Sequence, residues 1–113
     1  MPSGSIAEHA SDEEYKRKVE HSVEPVVVTF LSPLDDKCNA VASGIAELSH
    51  EFTTIKFYEV DVRKHAMLSR ALSITELPIV VFVKNGTKFL TLTADVSLPS
   101  IREGLQALQM ASH

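Results

Sequence analysis

A single cysteine, Cys38, and no tryptophan occur among the 113 residues of this chain. One thiol cannot close a disulfide within the chain, which excludes a disulfide-stapled scaffold and suits a reducing compartment. Glycine is nearly as scarce. Gly4, Gly44, Gly86 and Gly104 stand apart, so no glycine-rich loop is available to cradle a phosphate. The longest apolar runs, Val26-Val27-Val28 and Ile79 to Val83, fall far short of a bilayer span, and no membrane partner is expected. Basic residues number 11 against 15 acidic ones and are scattered. Without a basic stripe or an aromatic platform, no nucleic-acid partner is expected. His9, His21, His50, His65 and His113 contain no i,i+4 pair, so neither a metal nor another cofactor is expected. The first residues carry acids and no apolar core segment, which argues against a secretory or transit signal. The cytosol is the expected location, with the nucleus open to a chain this small.

What is present is patterned for one soluble domain spanning residues 1–113. Ser3 to His9 is a weak strand candidate. Ser11 followed by Asp12, Glu13 and Glu14 reads as a helix cap with acids in the first turn, opening a helix to Glu20. Pro25 to Leu31 is nearly all apolar and β-branched, as for a strand covered on both faces. Cys38, Val41, Ile45, Leu48 and Phe52 recur at steps of three and four, one face of a helix from Asp36 to Phe52. Thr54 to Val62 reads as a strand, Arg63 to Leu72 as a short helix and Pro78 to Val83 as a second buried strand. Asn85-Gly86 predicts a hairpin that pairs Lys88 to Thr93 with that strand. Leu98, Ile101, Leu105 and Leu108 mark a closing helix. The order β-α-β-α-β-α-β-β-α predicts an α/β fold. Its alternating strands should pair in parallel under helices on both faces, with the hairpin as an antiparallel edge.

The stretch SPLDDKCNAV, Ser32 to Val41, concentrates the chemistry-bearing residues. Asp35 and Asp36 are adjacent carboxylates at a helix start. Acid/base carboxylates normally face each other across a cleft, whereas adjacent acids after a Ser-Pro turn fit an N-cap and a first-turn acid. Cys38 lies on the apolar stripe of its helix, beside two carboxylates that oppose thiolate formation. It reads as a small buried hydrophobe.

Several strings in order resemble the thioredoxin family, across about Ile6 to Leu108. EPVVVTFLSP is similar to its PVVVDF strand, and IKFYEVDVRKHAMLSRALSITELPIVVFVKNG follows its KFYKVDVDE, helix, I-R-x-x-P-T-x-x-x-F-K-N-G pattern. The resemblance implies a thioredoxin fold: a central mixed sheet of three parallel strands plus an antiparallel edge hairpin, flanked by four helices. It also sets Leu34-Asp35-Asp36-Lys37-Cys38 against the family's W-C-G-P-C. Asp35 then replaces the attacking cysteine and Cys38 holds the resolving position. Thr29 and Glu59 stand where the family keeps a buried Asp and Lys as proton relay, and Leu92-Thr93-Ala94-Asp95 where it has V-G-A-N. Pro78 would be the cis-proline beside the site. A thiolate and a second thiol are both needed for dithiol exchange, so disulfide reduction of that type is not expected. The resemblance implies instead a protein or peptide partner, held in a groove of Leu34, Asp36, Lys37, Leu77, Pro78, Ile79 and Thr93, in a scaffold, chaperone or assembly role. A spliceosomal family with this fold and no dithiol is a precedent. A single-cysteine thiol–disulfide oxidoreductase, or another enzyme of this fold using Cys38 and Asp35, is the alternative. A monomer or weak homodimer is expected.

Overall fold

A computed structural model of the chain describes residues 6–7 and 12–111. Its elements are β1 (Ile6–Ala7), α1 (Asp12–Tyr15), β2 (Val26–Leu31), α2 (Asp36–Ser49), β3 (Lys56–Asp61), α3 (Ala66–Ala71), β4 (Ile79–Lys84), β5 (Thr87–Leu92) and α4 (Leu98–Ala111). Of the expected first strand, Ile6–Ala7 forms β1; Ser3, His9 and the cap candidate Ser11 lie outside the described residues. The first helix does not stay α-helical to Glu20. It widens into a π-helical segment over Lys16–Glu20, which still buries Val19.

The strands form one sheet in the order β1-β3-β2-β4-β5. β1, β3 and β2 are parallel, and β5 returns antiparallel beside β4. Element order alone would set β4 parallel, but it runs antiparallel to β2 with Val28 opposite Val81, so three parallel strands are joined by an antiparallel hairpin, as the resemblance implies. The chain re-enters the sheet from the end where β3 left it. That geometry brings Pro78 and the start of β4 beside the end of β2, with Phe30 paired to Ile79.

Strand alternation divides the core between two faces. Val27, Phe57, Val80 and Phe82 pack beneath α2 and α4, against Ile45, Leu48, Ile101 and Leu105. Val28, Phe30, Val60, Ile79 and Val81 pack on the other face with Tyr15, Val19 and Leu68. At the β4–β5 turn Asn85 and Gly86 both have positive φ, 51° and 76°, as a two-residue hairpin of this hand requires. A Cβ on Gly86 would also run into the Glu20 carbonyl. No helix among the described residues is long and apolar enough to cross a membrane.

Candidate functional site

The loop from β2 into α2 is fixed by short-range hydrogen bonds. The Asp35 N–H donates to the Ser32 carbonyl at 3.1 Å, and the Leu34 N–H to Ser32 Oγ at 3.4 Å. Asp35 then caps α2. Its Oδ1 accepts from the Cys38 N–H at 3.1 Å, and its carbonyl accepts the first helical bond, from Asn39, at 3.0 Å. Asn39 Nδ2 closes the loop by donating to the Pro33 carbonyl at 3.0 Å. Asp36, exposed in the first turn, adds negative charge where the helix dipole favours it. The two carboxylates thus hold separate posts on one helix start.

Cys38 is fully buried, at 0% exposure. Burial pushes its thiol pKa up; the Asp35 carboxylate adds to this, and a hydrogen bond from the Ser32 backbone only partly opposes it. A nucleophilic thiol needs the reverse, a lowered pKa with access to solvent.

Across from this helix start the Leu77–Pro78 peptide bond is cis. Between the two lies a cavity of about 270 Å³, lined by Lys37, Ala40, Val41, Leu77, Pro78, Thr93, Ala94 and Val96. Of the expected groove residues, Lys37, Leu77, Pro78 and Thr93 meet there. Leu34 is 77% exposed and Asp36 exposed, but neither lines the cavity. Ile79 is 7% exposed and packs into the core on the α3 side, so it is not a groove residue. The strand period held the signal: Ile79 shares its face with Val81 and Val83, away from α2. Sequence reasoning missed Ala40, Val41, Ala94 and Val96. Val41 was legible on the α2 stripe; two alanines and a loop valine carry no chemical signature.

Thr29 and Glu59 are register partners on neighbouring strands, and Thr29 is 1% exposed. Among the described residues no group of three His, Cys, Asp or Glu is placed to hold a metal ion. A second, wider cleft of about 550 Å³ separates α2 from α4, where Arg102 meets Glu51 through two hydrogen bonds of 2.8 and 3.0 Å.

The family model described as Thioredoxin matches residues 6–107. Thioredoxin-3 of Dictyostelium discoideum is 35% identical over 78 residues, covering 69% of this chain and 73% of that protein. Thioredoxin Asp f 28 of Aspergillus fumigatus is 36% identical over 62 residues, 55% of this chain, and the match spans only 57% of that relative's length. The crystal structure of the Malassezia sympodialis thioredoxin superposes with a TM-score of 0.82 at 23% identity. That match covers 100% of this chain and 96% of that one, and it speaks to the fold alone.

Proposed function

This chain belongs to the thioredoxin family, and we propose that it works there by binding a protein or peptide, in a scaffold, chaperone or assembly role, without dithiol turnover. The observation that carries the reading is the state of Cys38. The chain's only thiol is fully buried behind the Asp35 cap with its thiolate disfavoured, while the cavity beside Pro78 opens among the exposed Lys37, Ala40, Thr93 and Ala94. Thiol–disulfide exchange needs one thiol to attack and a second to release the mixed disulfide. By resemblance Asp35 occupies the attacking position, and Thr29, Glu59 and Thr93 replace the proton relay and the turn glycine. The surface beside Pro78 needs none of these groups in order to bind. The reading assigns the protein to a reducing compartment such as the cytosol, where a lone thiol stays free.

The test is insulin reduction with thioredoxin reductase and NADPH, run beside alkylation of the native thiol. No turnover is expected. Iodoacetamide should label native Cys38 at least about 100-fold more slowly than the urea-unfolded chain, because labelling requires the first turn of α2 to open. Turnover, or fast native labelling that disappears in Cys38→Ser, would establish single-thiol chemistry instead. Asp35→Cys alone should restore little reductase activity; full activity would show that the other replacements do not matter.

A further inference from the structure

Among the described residues Lys37 is the only charged one lining the cavity beside Pro78, and it is exposed on the first turn of α2. The ion pairs among the described residues do not use its ammonium. Neighbouring acids do not neutralise the cavity from within. Asp35 is committed to the Cys38 N–H, and Asp36 lies outside the lining. Asp95, in the loop that supplies the opposite wall, accepts from Ser100 Oγ at 2.7 Å and from the Ser97 N–H at 3.3 Å. Apart from Lys37 and Thr93, every lining side chain is apolar.

At about 270 Å³ the space lies just under the roughly 300–1,000 Å³ of sites that enclose a drug-sized molecule. It suits a large apolar side chain carried on an extended segment. On such a segment residues i and i+2 project from the same face about 7 Å apart, so one can enter the cavity while the other reaches its rim. Resting on the function proposed above, we infer that the partner is an extended peptide segment with a large apolar side chain in the cavity and, two residues away, a carboxylate paired with Lys37. The specificity then comes from charge at the rim and shape within.

The test uses four fluorescein-labelled octapeptides on one alanine–serine background. Three carry leucine with glutamate, glutamine or lysine two residues later, and the fourth carries alanine in place of the leucine with glutamate retained. Anisotropy titrations with the full chain should rank glutamate over glutamine over lysine, with steps of about threefold to tenfold that shrink as salt is raised. Replacing leucine by alanine should weaken binding by at least about tenfold. Lys37→Glu, a change at an exposed position, should invert the glutamate–lysine order, and Thr93→Arg, which fills the cavity mouth, should abolish binding. Equal affinity for the three charge variants, or an unchanged order in Lys37→Glu, overturns the inference while leaving the groove reading intact. Binding that survives Thr93→Arg, or no binding by any peptide, overturns both. Self-association of the protein that Thr93→Arg dissolves assigns the groove to a second copy of the chain and overturns the inference as well.

Discussion

Replacing Asp35 by alanine removes the side-chain acceptor that caps the N-terminus of α2. The Cys38 N–H, 3.1 Å from Asp35 Oδ1, lies at a helix start packed against the sheet and cannot trade this partner freely for water. Loss of an N-cap of this kind costs about 1 kcal/mol, within a range of roughly 0.5–2. Removing a negative charge from the positive end of the helix adds about 0.5 kcal/mol. Asp35→Ala should therefore lower unfolding stability by about 1.5 kcal/mol, a fall in Tm of roughly 5–10 °C for a domain of this size. Asp35→Asn keeps an acceptor oxygen and loses only the charge, so about 0.5 kcal/mol is expected. Urea unfolding followed by circular dichroism measures all three proteins, and equal slopes would confirm that only stability has changed. Native alkylation of Cys38 should quicken in the same order, because the cap also keeps the first turn closed over the thiol. If Asp35→Asn destabilises as much as Asp35→Ala, charge rather than capping holds this turn. If neither differs from the wild type, the account of Asp35 as a structural residue is wrong.

Three further outcomes follow from positions away from the cavity. At the end of α3 the Ile74 N–H donates to the Ser69 carbonyl and the Ser73 N–H to that of Arg70, closing a turn in which Ser73 has φ of 57°; Ser73→Gly should raise stability by about 0.5–1 kcal/mol in urea, and a loss would refute the strain argument. Gly86→Ala places a Cβ at φ of 76° against the Glu20 carbonyl and should cost about 2 kcal/mol, seen as a lower urea midpoint. Burial, with the Glu20 carboxylate second, pushes the Tyr15 hydroxyl from 10.0 up to about 12. A pKa raised on folding favours the protonated form, so this contribution is whole below pH 10 and is lost as the pH rises through 12, on the order of 2 kcal/mol after solvent screening. Urea midpoints measured across that window should fall less steeply in Tyr15→Phe.

The elements were legible because each buries an apolar face with its own period. The α2 stripe from Cys38 to Leu48 and the hairpin at Asn85-Gly86 are local signals that nothing distant has to complete. The direction of β4 was not legible, since a strand covered on both faces reads as one apolar run whichever way it points. The π-helical segment escaped for a related reason. Tyr15 and Val19 stay on the buried side there, so their spacing reports burial and not the width of the turn. At the site, charge and capping could be read from Asp35, Asp36 and Lys37 because they act within one helical turn. The cavity could not, because its walls come from α2, the loop before β4 and the loop after β5, and most of its lining is apolar.

The sheet's far border also bears on how the protein behaves at high concentration. β5 is an outer strand with Phe89 and Leu90 partly exposed, a surface on which edges of neighbouring molecules tend to zip together. The register slips at Phe82/Val83: Val83 faces Lys88 while Phe82 faces Leu90, which leaves Phe89 as the extra residue. A bulge bends the strand and breaks the flat row of amide groups, and Lys88 sets an exposed charge on the same stretch. Together they act as a gatekeeper against fibre-like stacking. Straightening that border by deleting Phe89, or removing its charge with Lys88→Val, should make the protein more prone to aggregate through its last strand.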